Sequence, residues 1–251
     1  MENVVIDIAA VPTIEADVVY AVADIHGRVD LLDAMEIVIA GDIGAARPAR
    51  PVICYLGDYI DRGPTSDQVI DRLSAPASDG LARVFLKGNH EDRMLDFLAA
   101  PAEHGTPWLK FGGRETLQSY GVTPPASDDA DWGSIASELA GRLPERHRVF
   151  LDGMQLAMRW HGYLFVHAGL NPAGPAREQA SRDLMWIREP FLSSDTDWGL
   201  RVVHGHVIVE EPVFRPNRIG IDTGAYKTGS LTCLVVTEDQ LRLLQTPPPV
   251  I

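Results

Sequence analysis

The sequence predicts an α/β protein, and two observations lead to that prediction. Short runs rich in Val, Ile, Leu and Tyr alternate with amphipathic segments up to about residue 100, which is the pattern of βαβ units. The last third, after about residue 160, is again rich in strand-like runs. Because 251 residues with 45% hydrophobic content suffice for one large core, we expect a single domain over residues 1–251.

Three strands are predicted in the first half of the chain, at 18–23 (VVYAVA), 51–56 (PVICYL) and 82–86 (ARVFL). A leader of about 17 residues precedes them. Apolar residues recur at helical spacing between about 30 and 40, so a helix should follow the first strand. Further helices are predicted after Pro64, which suits a first helical turn, and over EDRMLDFLAA.

From about 101 to 160 the pattern loosens and becomes rich in Gly, Pro and Asp, with helical pieces near 114–120 and 133–142. The apolar content is too low for a separate domain, so we predict a helical insertion, which we call the cap. Its aromatic residues should form a small core of the cap itself rather than a platform for substrate; they are Trp108, Phe111 and Tyr120.

Strands return after the insertion, and five are predicted: GYLFVH (162–167), RVVHGH (201–206), RIGIDTG (218–224), SLTCLVVT (230–237) and LRLLQ (241–245).

The composition argues against several classes of function. A net charge of -13 and a pI near 4.9 disfavour nucleic acid and anionic membranes as partners, which select basic surfaces. The N-terminus has no basic region before an apolar run, and no apolar stretch approaches 20 residues, so we expect a cytoplasmic protein. Cys54 and Cys233 lie in apolar runs, which favours two buried thiols over a disulfide framework.

Polar residues that could bind metal follow the predicted strands at their carboxyl ends, where α/β sheets bind ligands. Singly, each has a structural explanation as a helix cap, a turn residue or a hydrogen-bonded histidine. Together, two Asp, one Asn and three His are too many for one catalytic ion and suit two divalent cations acting on a phosphoryl group. They are Asp24, His26, Asp58, Asn89, His167 and His206.

Five motifs in order resemble the calcineurin-like metallophosphoesterases, especially bacterial members of the phosphoprotein phosphatase branch: DIHG (24–27), GDYIDRG (57–63), GNHE (88–91), VHAGL (166–170) and HGH (204–206). The resemblance implies an α/β sandwich of two mixed sheets flanked by helices, with two divalent ions. Manganese is the expected metal, with iron or zinc as alternatives. One ion would be held by Asp24, His26 and His206 and the other by Asn89 and His167, with Asp58 bridging them.

The same resemblance implies roles for the remaining residues of these motifs. His90 would be the general acid, Asp61 would orient it through a hydrogen bond, and a metal-bridging hydroxide would attack phosphorus directly. Arg62 would bind phosphate oxygens with its planar fork. Two further candidates for substrate binding are Lys87, which replaces the Arg of many members, and Arg188, whose ordinary interpretation is a surface ion pair.

These expectations describe a metal-dependent phosphatase that hydrolyses phosphomonoesters, and the resemblance favours serine/threonine protein phosphatase activity on phosphorylated substrates. Two alternatives keep the same site: a symmetrical dinucleoside tetraphosphate hydrolase and a phosphate-binding regulator without turnover. Cysteine-dependent phosphatase chemistry is disfavoured, because a C-x5-R loop starting at Cys54 would need Arg where Ile60 stands.

Overall fold

The computed structural model describes residues 4–77 and 79–247. Its strands are β1 Val5–Asp7, β2 Val18–Val22, β3 Pro51–Tyr55, β4 Ala82–Phe85, β5 Ala157–Trp160, β6 Tyr163–Val166, β7 Glu178–Ala180, β8 Arg201–His204, β9 Val213–Phe214, β10 Arg218–Gly220, β11 Thr232–Val236 and β12 Leu241–Gln245. Its helices are α1 Val29–Ala46, α2 Ser66–Ser74, α3 Asn89–Ala99, α4 Pro101–Trp108, α5 Arg114–Ser119, α6 Trp132–Arg142, α7 Glu145–Asp152, α8 Ser181–Trp186 and α9 Ala225–Thr228. A 3-10 turn covers Ile8–Ala10, and a π-helical turn covers Leu109–Gly113.

The first large sheet has the strand order β12-β11-β2-β3-β4. Strands β2, β3 and β4 run parallel, as the βαβ pattern predicts, whereas β11 is antiparallel to both β2 and β12. All five residues of β2 and all five of β11 are buried. These central strands therefore consist of continuous apolar runs without polar alternation.

The second large sheet has the order β5-β6-β8-β10-β9. Its central strands β6, β8 and β10 are parallel, and its edge strands β5 and β9 are antiparallel. Side chains of both sheets, such as Val19 and Phe165, belong to one hydrophobic cluster. The expected α/β fold with two mixed sheets and flanking helices is confirmed.

A third, two-stranded sheet was not predicted. Part of the N-terminal leader forms β1, which pairs antiparallel with β7, so that Val5 lies opposite Ala180. Strands of three residues carry almost no periodic signal, and their pairing depends on a partner far along the chain.

The region predicted as a cap is helical, but its end differs from the expectation. The helices finish with α7 at Asp152, and Ala157–Trp160 is already strand β5 of the second sheet. The aromatic residues also differ from the expected separate cap core. Trp108 (0% exposed) and Tyr120 (8%) join the main hydrophobic cluster, whereas the side chain of Phe111 is 42% exposed. The helices therefore share the core of the sheets, which explains their low apolar content.

Both cysteines are free and buried, as expected from their apolar surroundings. Among the residues that the structure describes, none of the helices combines the length and the apolar character needed to cross a membrane.

Candidate metal centre

The predicted ligands lie where the parallel strands end. Asp24 follows β2, Asp58 follows β3, and Asn89 opens α3 after β4. In the second sheet His167 follows β6 directly, and His206 lies just beyond β8. The core shared by the two sheets brings these loops together.

The loops turn sharply, and several site residues adopt the left-handed backbone conformation. The φ angles are 47° for His26, 53° for Asp58, 70° for Asp61, 69° for Arg62 and 65° for His206. Side chains other than glycine rarely occupy this region, which costs about 1–2 kcal/mol per residue. Such outliers cluster where a function requires a particular side-chain direction.

Asp58 lies at the centre of the cluster, and its two carboxylate oxygens face different histidines. Oδ2 lies 3.5 Å from Nε2 of His26 and 3.8 Å from Nε2 of His90. Oδ1 lies 3.4 Å from Nε2 of His167. One carboxylate therefore serves two neighbouring groups of metal-binding side chains, which is the geometry expected of a bridging ligand.

The group on the Oδ1 side contains His206. Nε2 of His167 lies 3.0 Å from Oδ1 of Asn89 and 3.2 Å from Nδ1 of His206. His206 therefore lies with Asn89 and His167, and not on the His26 side as the sequence led us to expect. Its link to Asp24 is made by the backbone, because the N–H of His206 donates to the Asp24 carboxylate at 3.0 Å.

Two of the histidines are oriented by main-chain carbonyl groups. Nδ1 of His26 lies 2.8 Å from the carbonyl oxygen of Ile60, and Nδ1 of His167 lies 2.9 Å from that of Leu56. A proton on Nδ1 satisfies each carbonyl and leaves Nε2 facing Asp58. On His26 this nitrogen accepts from Arg62 and carries a lone pair. On His167 it faces Oδ1 of Asn89, and although burial opposes the charged ring, the carboxylate of Asp58 raises the pKa of His167 to about 10, so a bound cation would take the place of the proton on Nε2.

The electrostatics of the cluster also fit cations. Burial, and then the neighbouring charge of Asp222, raise the pKa of Asp24 well above its usual value. Burial raises the pKa of Asp222 to about 6, and its Oδ2 atom is buried without a hydrogen-bond partner. Burial opposes ionisation of Asp58 as well, yet the charges of His167 and His90 hold its pKa well below the usual range. Buried carboxylates this close together are stabilised by bound cations.

The oxygen and nitrogen donors, the shared carboxylate and the histidine tautomers together fit a pair of divalent cations. Asp222 shapes a turn beside this cluster, because its Oδ1 atom accepts the backbone N–H of Gly224 at 2.8 Å. His204, the other histidine of HGH, is buried, and burial lowers its pKa to about 3.

His90 and Asp61 form the expected pair. Nδ1 of His90 lies 2.7 Å from Oδ2 of Asp61, and both side chains are fully buried. Asp61 is itself held from the helical region: Nε1 of Trp108 donates to Oδ2 at 3.0 Å, and the Thr116 hydroxyl donates to Oδ1 at 2.6 Å. Sequence reasoning missed both donors, because they lie 47 and 55 positions from Asp61 and outside the five motifs.

Glu91, the last residue of GNHE, had no assigned role. Its carboxylate accepts backbone N–H groups from Gly88 at 2.9 Å, Asp58 at 3.0 Å and Tyr59 at 2.8 Å. Glu91 thus ties the loop after β3 to the start of α3. Three convergent N–H donors explain why an acidic residue is placed in this buried turn.

Of the basic residues expected at the site, Arg62 reaches furthest into it. Its two terminal nitrogens donate to Nε2 of His26 at 2.9 Å and to Nε2 of His90 at 3.0 Å. Arg188 is exposed and donates from Nε to Nε2 of His206 at 3.3 Å. Lys87 is buried, with 8% of its surface exposed. Arg62 therefore contacts the cluster at His26 and His90, whereas Arg188 contacts it at His206.

Comparisons with known proteins identify the family of this chain. The family model for calcineurin-like phosphoesterases matches residues 18–228. An asymmetrical bis(5'-nucleosyl)-tetraphosphatase, PrpE of Anoxybacillus flavithermus, is 26% identical over 198 residues, which cover 72% of this chain and 74% of that protein.

Solved structures show the same fold at low sequence identity. A cold-active protein-tyrosine phosphatase of a psychrophilic Shewanella species superposes with a TM-score of 0.55 at 16% identity, covering 94% of this chain and 82% of that one. A serine/threonine phosphatase of Saccharomyces cerevisiae gives a TM-score of 0.52 at 13% identity, covering 98% of this chain and 83% of that one.

The matched family span includes every predicted metal ligand, from Asp24 to His206. It also includes the His90–Asp61 pair and the helical region that supports it. The chain therefore belongs to the calcineurin-like phosphoesterases, and it is a metal-dependent hydrolase of phosphoric esters.

Proposed function

We propose that the protein hydrolyses phosphomonoesters and that its substrates are phosphoserine and phosphothreonine residues of proteins. The observation that carries the proposal is the arrangement around Asp58, whose two oxygens face separate histidine groups while the His90–Asp61 pair lies beside them. This arrangement combines two cation sites with a histidine able to protonate a leaving oxygen.

We propose that the six predicted ligands hold two manganese ions; their imidazole, amide and carboxylate donors would also accept iron or zinc. When bound, such ions supply a water that is nucleophilic near neutral pH and positive charge for the phosphoryl oxygens. The remaining chemistry belongs to residues of the chain.

Arg62 would bind the phosphoryl group. In the structure its guanidinium donates to the ring nitrogens of His26 and His90, so it is already directed at the space between them. A phosphoryl group in that space would take over both donors in a planar, two-point contact. Arg188 would contact the substrate from the His206 side.

His90 would act as the general acid. The contact between Nδ1 and Asp61 directs Nε2 towards Asp58 and Arg62, where the scissile ester would lie. The carboxylate of Asp61 holds the ring through Nδ1, so that a proton on Nε2 can pass to the departing oxygen.

The symmetrical hydrolysis of dinucleoside tetraphosphates is the second candidate. The similarity to a tetraphosphatase over 72% of the chain favours a dinucleoside tetraphosphate as the substrate, although that relative is described as asymmetrical. The resemblance of the motifs to the phosphoprotein phosphatase branch favours the first proposal. Similarity in fold does not separate the two candidates, because it extends to structures of both kinds of enzyme.

A substrate panel on manganese-loaded protein tests the proposal. Phosphoserine, phosphothreonine and phosphotyrosine peptides should be compared with diadenosine tetraphosphate at equal concentrations. Release of phosphate from phosphoserine and phosphothreonine peptides with the highest kcat/KM would support the proposal. Faster cleavage of the dinucleotide would overturn it, and two molecules of ADP as the products would identify the symmetrical reaction.

A further inference from the structure

We propose that Arg93 and Phe111 form a subsite for a negatively charged leaving group. This inference rests on the proposed hydrolysis of phosphomonoesters and adds a preference within it. The leaving groups favoured by the subsite would carry a second anionic group, a carboxylate or a phosphate, beside a flat or apolar portion.

The subsite lies on the side of the cluster where the leaving group departs. Arg93 follows His90 by three residues in α3, so the two side chains project from one face of the helix. The ring of Phe111 lies 6.5 Å from that of His90. Because His90 is the proposed proton donor to the departing oxygen, groups adjoining His90 will adjoin the leaving group.

The π-helical turn holds Phe111 at this position. The carbonyl of Gly112 accepts the backbone N–H of Arg62 at 3.1 Å. Gly112 has a φ of 107°, and a Cβ atom there would lie only 2.7 Å from the backbone nitrogen of Arg62. The turn is therefore packed directly against the phosphate-binding arginine, and Phe111 stands at the rim of the reaction centre.

The charge of Arg93 is stacked but not paired. Its guanidinium carbon lies 4.1 Å from the ring centre of Phe111 and 4.5 Å from that of Trp186. Its Nε is buried without a hydrogen-bond partner, and among the described residues no acidic side chain forms an ion pair with Arg93. The nearby charges that act on it come from Arg182 and from Asp61, Asp92 and Asp96.

A half-buried guanidinium between two rings keeps its donors in a fixed plane, which suits a carboxylate or phosphate. Burial, and then the positive charge of Arg182, lower the pKa of Arg93. An anion at this position would contact the guanidinium directly, whereas the carboxylates of Asp61, Asp92 and Asp96 act on Arg93 without forming an ion pair with it.

Phe111 supplies the apolar wall of the same subsite. Its side chain is 42% exposed, although Trp108 on the preceding turn is fully buried. A large exposed aromatic ring beside a catalytic cluster is suited to contact a ligand. The face of the Phe111 ring that Arg93 does not cover would pack against the apolar portion of the leaving group.

Three aryl phosphates of similar shape test the subsite: 4-carboxyphenyl phosphate, 4-carbamoylphenyl phosphate and 1,4-phenylene bisphosphate. The quantity measured is the preference, defined as the kcat/KM of a charged substrate divided by that of the neutral amide. The proteins are the manganese-loaded wild type, Arg93→Gln, Arg93→Lys and a matched control. The control is Arg50→Gln, because Arg50 pairs with Glu15 and Asp17 at the start of β3, at the opposite end of the strand from the site.

We expect the wild type to prefer at least one charged substrate. In Arg93→Gln this preference should fall about tenfold, which is the scale of one charge-assisted contact. Arg93→Lys should retain part of the preference, and Arg50→Gln should retain all of it. The substrate with the larger loss identifies carboxylate or phosphate as the favoured group.

A preference that is unchanged in Arg93→Gln would overturn the subsite, provided that the thermal melting curve shows a folded variant. If Arg93→Gln fails to fold, two other single variants replace it, Arg93→Lys and Phe111→Ala. A preference unchanged in both of them would likewise overturn the subsite. Absence of turnover of all three esters by the wild type would instead refute the proposed function itself.

Discussion

The imidazole of His90 and the carboxylate of Asp61 lie 2.7 Å apart in a fully buried pair. This contact occupies Nδ1 and leaves Nε2 facing the carboxylate of Asp58 at 3.8 Å. One nitrogen of the ring therefore fixes its orientation, and the other is available to the substrate.

His90→Asn should lower kcat/KM for a phosphoserine peptide far more than for 4-nitrophenyl phosphate. An alkoxide needs a proton in order to leave, whereas a nitrophenolate does not, and general acid catalysis contributes about 10²–10⁴-fold. Steady-state kinetics on manganese-loaded protein measure both losses. Asp61→Asn should show the same order of losses, and equal losses on both esters would contradict the role of His90.

Asp58→Asn should reduce activity by orders of magnitude while the protein stays folded. A neutral amide cannot bind two cations as a carboxylate does, although its oxygen can still accept the backbone N–H of His90. Circular dichroism checks the fold, and elemental analysis should find less bound metal than in the wild type. Near-normal turnover with added manganese would refute the bridging assignment.

Thr116→Val should lower both activity and stability. Its hydroxyl donates to Oδ1 of Asp61 and accepts the backbone N–H of the same residue at 2.9 Å, so the substitution removes a donor from the buried Oδ1 atom. The expected loss in free energy of unfolding is about 1–3 kcal/mol. Denaturant unfolding measures this loss, and Thr116→Ser, which keeps the hydroxyl, should recover most of it. Wild-type kinetics in Thr116→Val would show that Asp61 does not depend on the helical region.

Removal of metal should destabilise the protein. Burial raises the pKa of Asp24 and opposes its ionised form, which a bound cation stabilises. Manganese at 100 times its Kd would add about 2.7 kcal/mol to the free energy of unfolding. Differential scanning calorimetry should show a lower Tm after chelation and its recovery with manganese. In Asp58→Asn this shift should shrink; a full shift there would place the stabilising ions elsewhere.

Much of the site could be predicted because its residues lie in short motifs that follow apolar runs. Asp58 comes directly after β3 and His167 after β6, so the strand pattern alone places them at the carboxyl ends of parallel strands. Which ligands lie together in each group was harder to predict from the sequence. The position of His206 depends on how the two sheets approach each other, which no local pattern records.

The supporting residues could not be predicted for a related reason. Trp108 and Thr116 reach Asp61 only after α4 and α5 pack on the sheets, and neither lies in one of the five motifs. Short elements escaped too: β9 has two residues, and α4 contains Pro107, which normally argues against a helix. Phe111 looked like an interior residue, because an aromatic side chain usually is.

The left-handed backbone of the ligand-bearing loops positions ligands at a cost in stability. At positions such as His26 and His206, glycine would relieve backbone strain but would remove a ligand. A library of variants selected only for survival on heating would thus be drawn towards inactive sequences. Selection for heat resistance should therefore be coupled to turnover, or these positions should be left unvaried.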